Sequence, residues 1–290
     1  MSNTVLRRVI CFFFSFILSF SLFVLSIAIT MQSSVLSKDF LINQLSISGY
    51  HLKAADYTKS SISDLAFAGG VPSDVFDEIV TPERVKTDIY NIFEYAYDGK
   101  QYSIDSEKLN SEFLEAIKNY ASENNIEITA ETETNISHLA DLCTQTYLDC
   151  INIAGINTVI GALRQPSKFM GFAIGGSILI ALISIIMLFL INKYKHKFLR
   201  YIAYALSGNF LMMTVIPGFL LITKPYVNLN ISPDYLHSFI NSFLDETLKM
   251  MLVGAAVTAV LYIIVFVLVS HFKKRAIKKG YKERNKNNLV

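Results

Sequence analysis

The chain's 290 residues are 52% hydrophobic and only 17% charged, with a mean hydropathy of +0.40, which is too apolar for an ordinary soluble domain. The formal net charge of +2 is small but strongly segregated, and the one basic tail is too short to support a nucleic-acid-binding role. Apolar residues gather in four runs, at 9–31, 169–191, 201–223 and 247–270. The second, 23 residues without a charge, would reach roughly 34 Å as a helix, enough to cross a bilayer with some tilt.

These runs divide the chain into eight parts: 1–31, 32–168, 169–191, 192–200, 201–223, 224–246, 247–271 and 272–290. Arg7 and Arg8 precede the first run, and Ser26-Ile27-Ala28 offers small residues at a possible signal-peptide cleavage site. The run is longer than a usual signal core, and cleavage would leave an odd number of spans, so a retained anchor is the expectation. Ser15, Ser19 and Ser26 fall near one of its faces.

Residues 32–168 hold 10 Lys or Arg against 20 Asp or Glu, a net of −10. Lys193, Lys195, Lys197 and Arg200 crowd the 192–200 connection, and eight further basic residues follow the fourth run. Only Lys224 and Lys249 remain for the other side. The positive-inside rule then places both termini and the 192–200 loop in the cytoplasm of a plasma-membrane protein, with 32–168 and 224–246 outside.

The acidic segment reads as helical. Gly69-Gly70-Val71-Pro72 stops one helix, and Ser73 is expected to cap a short one over 74–80. Thr81-Pro82-Glu83 is a strong start signal, followed by Val85, Ile89, Ile92, Phe93 and Ala96 at helical spacing. Asp98-Gly99 ends that helix, and Asp105 caps another lined by Leu109, Phe113, Ile117 and Tyr120. A last helix starts after Thr129 and runs through Leu139, Leu142, Tyr147 and Ile151. Only Ile126-Glu127-Ile128 alternates, too short for a sheet. The expected fold class is therefore an all-α membrane protein, four transmembrane helices with an extracytoplasmic helical bundle between spans one and two. The bundle's first and last helices are expected to continue from those spans.

Residues 151–164 are apolar and read as bundle core or interface, interrupted near Gly155 and Gly161, with a joint at Gln165-Pro166-Ser167. In the second span Gly171 and Gly175 form a GxxxG pair suited to close helix packing. Its partner is either the fourth span, with Gly254 and Ala255 beside Ala256 and Ala259, or a second copy of the chain. The third span carries Ser207, Gly208, Asn209, Thr214 and Pro217-Gly218. Asn209, Thr214 and Pro217 form a candidate polar seam, read either as a conduit or as a helix-to-helix hydrogen bond in a proline-kinked helix. Ser232-Pro233-Asp234 begins a helix that flows into span four, and the basic tail is expected to be disordered and to touch anionic lipid.

The sequence holds no H-E-x-x-H, C-x-x-C, phosphate-cradling glycine loop or G-x-S-x-G. No catalytic, metal or cofactor site is assigned. His138 and Asp141 share a helix face but lack a third ligand, and Cys143 and Cys150 are too far apart along a helix to pair. No charge lies deep in a span, which disfavours a proton-coupled transporter or intramembrane protease. The stretch from Val71-Pro72-Ser73-Asp74 to Asp98-Gly99-Lys100-Gln101-Tyr102 and Ser103-Ile104-Asp105 resembles the outer domains of uncharacterised bacterial multi-pass membrane proteins. That resemblance implies an envelope location and no particular activity.

The leading expectation is a non-enzymatic plasma-membrane protein whose outer domain binds a protein partner or senses envelope conditions, or self-associates. The alternative is a channel or transporter subunit using the polar seam. An envelope enzyme using Asp74, Asp77 or Glu78 is the weakest reading, because a solvated acidic face explains those residues.

Overall fold

A computed structural model describes the backbone of residues 3–152, 156–192 and 194–287, and the side chains of 5–152, 169–192 and 194–278. The described residues form nine α-helices and two short 3-10 turns, with no strand. They fall into two compact units, an apolar one of Met1–Ser37, Pro166–Asn228 and Leu244–Val290, and a second of Lys38–Gln165 and Leu229–Phe243.

The apolar unit is built on α1 (Asn3–Ser33), α7 (Ile156–Ile191), α8 (Lys195–Thr223) and most of α9 (Asp234–Asn287). These four helices are long and apolar enough to cross a membrane, which makes the chain a multi-pass membrane protein. A helix satisfies its backbone polar groups internally, as hydrocarbon requires. The side chains are sorted the opposite way from a water-soluble core. Phe172 and Ile222 are 80% and 86% exposed, whereas Ser15 and Asn209 are 3% exposed. Large apolar groups face outward and small or polar ones inward, as expected where lipid is the solvent. The centre of the unit packs Cys11 and Leu18 of α1 with Ala181 and Leu188 of α7 and Ala205 of α8.

The second unit contains α2 (Lys38–Ile47), α3 (Tyr50–Ala68), α4 (Pro82–Asp98), α5 (Ser106–Glu123), α6 (Ala130–Ile151) and the opening turns of α9. Side chains cap three of these helices. Thr81 Oγ1 accepts from Arg84 N with Pro82 in the first turn, Asp105 accepts from Lys108 N, and Thr129 Oγ1 accepts from Thr132 N. Gly99 ends α4 at φ 74°, a left-handed conformation that glycine adopts without strain. The core is a conventional apolar one, with Tyr50, Phe76, Ile89, Phe93, Leu109, Phe113 and Tyr147 all nearly inaccessible. Tyr235 and Phe239 of α9 belong to it, and their rings sit 5.2 and 5.5 Å from Tyr50.

Four local expectations change. Ser73 caps no helix over 74–80; Ser73–Phe76 is one 3-10 turn that follows an extended Pro72. Neither end helix of the bundle is a continuation of a span: α1 ends at Ser33 and α2 begins at Lys38, with Ser37 N bonded back to Ser34 O, and α6 ends at Ile151 with Asn152 extended, whereas α7 begins at Ile156. Gly161 and Gln165-Pro166-Ser167 lie inside α7 instead of interrupting it, consistent with the tolerance of membrane helices for glycine and proline; Gly155 lies outside the described residues. The tail is not a coil, because α9 stays helical to Asn287, and its Lys, Arg and Glu residues are good helix formers.

A buried polar knot ties α4 to α6. Tyr147 Oη donates to Asp88 Oδ2 at 2.7 Å, Tyr102 Oη donates to Asp88 Oδ1 at 3.3 Å, and the Arg84 guanidinium lies 5.9 Å from the Tyr147 ring centre. Burial, and then the hydrogen bond to Asp88, raise the Tyr147 phenol well above its ordinary pKa. Asp88 is only 8% exposed, so losing a donor leaves a carboxylate oxygen short of a partner inside protein. Tyr147→Phe is expected to destabilise the fold by about 1–3 kcal/mol. Thermal unfolding of the full chain in detergent measures it, and an unchanged melting temperature would show that the knot is not holding the two helices together.

Candidate functional site

Polar side chains within the apolar unit form a seam along α1, α8 and α9. Asn209, near the middle of α8, donates from Nδ2 to Ser26 Oγ at 3.4 Å and Thr258 Oγ1 at 3.3 Å. Thr258 Oγ1 in turn donates to Gly254 O at 3.0 Å on its own helix. Ser15 Oγ donates to Tyr201 O at 2.7 Å, joining α1 to α8, and Ser21 Oγ donates to Ser177 O at 2.6 Å, joining α1 to α7. At the other end of the seam, Asn192 Nδ2 reaches Cys11 Sγ at 3.2 Å and Leu188 O at 2.9 Å. Each bond replaces water that hydrocarbon cannot supply. Asn209 Oδ1 alone in this group is buried without a donor.

The expected seam residues separate in their roles. Thr214 turns its hydroxyl back to Phe210 O at 2.8 Å on its own helix, and Pro217 is buried within a continuous α8. Asn209 is the member that crosses between helices. The glycines differ as well. A Cβ on Gly208 would collide with Ser19 Oγ, and one on Gly254 would lie 3.3 Å from Met213 Cε, so α8 meets α1 and α9 through these two positions. Ala255 beside Gly254 is 2% exposed. Gly171 and Gly175 have nothing within 4 Å of where a Cβ would stand, and their face of α7 is open.

Three contacts are marked weakly or not at all in the sequence. Gly208 with Ser19 was signalled only by the serine spacing, Ser21 faces α7 rather than the Ser15–Ser19 side, and Asn192 lies at a helix end where no periodicity marks it. In the second unit, an open groove of about 500 Å³ runs along α5 and α6, lined by Glu107, Asn110, Asp141 and Gln145. Asn110 Nδ2 donates to Asp141 at 2.7 Å there, and His138 is exposed nearby in sequence on α6. Asp74, Asp77 and Glu78 are also exposed, with Asp77 paired to Lys59 Nζ at 2.7 Å. Among the described residues no three His, Cys, Asp or Glu side chains gather as a metal site. Cys143 and Cys150 are free thiols, and burial pushes Cys143 up to about 11.

No family model, curated protein or solved structure matches the chain.

The two kinds of glycine give opposite expectations. Gly208→Val should lower stability by about 1–3 kcal/mol, the usual cost of forcing extra atoms into a packed interface, while Gly171→Val should leave it within about 0.5 kcal/mol. Melting temperatures in detergent compare them, and equal losses would contradict the packing of α8 on α1.

Proposed function

We propose that the protein is a non-enzymatic plasma-membrane protein whose acidic helical domain faces away from the cytoplasm and engages a protein partner there. The observation carrying this reading is that the acidic segment has its own apolar core, completed by Tyr235 and Phe239 of α9, a helix that continues into a membrane span. A partner seated on that domain therefore touches a unit that shares a helix with the apolar one. The acidic character of 32–168, at −10, favours a partner presenting Lys or Arg. The basic residues of the 192–200 connection and the tail support the stated orientation through the positive-inside rule. A photo-crosslinking amino acid at Gln145, in the groove along α5 and α6, should capture a protein of discrete mass in intact cells. The same protein should co-purify with the chain in mild detergent. A strictly monomeric chain that captures nothing would overturn the proposal.

A second reading, a conducting subunit, is favoured by one feature, the buried Asn209 Oδ1, which has no donor among the described residues. In liposomes it expects ion flux that Asn209→Leu abolishes. Tight vesicles with the wild-type chain would remove it.

A further inference from the structure

Arg7 and Arg8 of α1 and Lys197 and Arg200 of α8 line one cavity of about 570 Å³, floored by Asn192 and Tyr201. All of these lie within the apolar unit. None of the four cations is paired with a carboxylate among the described residues. The sequence explains why: residues 1–38 and 169–233 contain no Asp or Glu. Four positive charges held about one recess without a counterion repel one another and lower the cost of admitting an anion. Asn192 is 7% exposed, and its amide is anchored to Leu188 O and Cys11 Sγ, so the floor of the recess is a fixed polar group.

The recess also has a particular setting. The apolar run of α1 starts directly after Arg8, and that of α8 directly after Arg200. Immediately beyond, Val9, Phe12 and Phe13 of α1 and Tyr204 of α8 stand 54%, 65%, 59% and 52% exposed. Cations at the edge of a span with bare apolar surface beside them match an amphiphile, with its phosphate among the arginines and its chains against α1. Guanidinium groups suit phosphate because they donate two parallel hydrogen bonds.

We propose that this cavity is a binding site for the phosphate group of an anionic phospholipid. The proposal needs the four spans but not the partner-binding role of the other unit, so either can fail alone. It also differs from general attraction of basic residues to a charged surface, which would treat the tail's Lys274 and Lys278 as equivalent to the cavity's arginines.

The test is lipid titration of the full chain in a neutral detergent, followed by thermal stability and by native mass spectrometry. The detergent brings no charge of its own, and the comparison of cavity and tail variants separates a formed site from attraction to a lipid-doped micelle. Phosphatidylglycerol should raise the melting temperature and stay bound, and phosphatidylcholine should not. Arg8→Gln with Arg200→Gln should weaken the effect by roughly 25-fold, at about fivefold for each charge removed. Lys274→Gln with Lys278→Gln, which removes the same charge from tail positions, should change it by less than about twofold. Should the double arginine variant aggregate, Arg200→Gln alone is expected to lose about fivefold, with helicity by circular dichroism confirming its fold. Protection by inorganic phosphate alone, at concentrations where phosphatidylglycerol adds nothing, would support the anion site and overturn lipid as its source. Equal binding of the two lipids, or equal losses in the arginine and lysine variants, would overturn the site itself.

Discussion

Hydrocarbon gives a polar side chain no partner, and the apolar unit is arranged around that constraint. Ser15, Ser21, Asn209 and Thr258 point inward and bond one another or a neighbouring carbonyl, while much of the phenylalanine, leucine and isoleucine covers the outside. Individually such bonds between membrane helices contribute only about 0.6–2 kcal/mol. Their larger effect is on register. Asn209 reaches both Ser26 and Thr258, so sliding α8 along either neighbour would strand an amide in an apolar setting. The small residues work with them. At Gly208 there is room for Ser19 and nothing more, so backbone approach and hydrogen bonding are fixed at the same place.

The other unit follows the same rule with water as solvent. Its core is aromatic and aliphatic, its carboxylates are mostly outside, and Asp88, the one buried carboxylate among the described residues, is held by the hydroxyls of Tyr147 and Tyr102. The chain crosses between these two regimes inside α9, whose Tyr235 and Phe239 pack in a water-type core and whose Thr258 joins the polar seam. That single helix obeys both solvents because its composition changes along its length, from mixed aromatic and acidic to a run without charge from Met250 to Ser270 in which Val, Ile, Leu and Ala predominate.

The sequence made these helices readable where local chemistry specifies a helix. The caps at Thr81, Asp105 and Thr129 involve atoms three residues apart, so they are visible without a fold. Ser73 failed as a cap because the extended Pro72 and the Phe76 side chain, buried against Phe113, close the chain into a 3-10 turn. Proline at 166 suggested a joint on the rule that holds in water, whereas α7 runs through it. The glycines show the limit most clearly. Gly171-x-x-x-Gly175 carries the familiar packing motif yet faces open space, and Gly208, with no motif, receives Ser19.

By itself the sequence determined how many apolar helices there are, where the charges are segregated, and that the acidic segment is helical. Each of these depends on composition or on neighbours a few residues away. Only the tertiary structure decided which polar groups meet: Asn209 with Ser26 and Thr258, Asp88 with Tyr147, and Arg7 and Arg8 around one recess with Lys197 and Arg200. Those pairings join residues 49 to about 190 positions apart, and nothing in local periodicity carries information over such distances. Helix register and rotation carry it instead, and they are settled by the packing of whole faces.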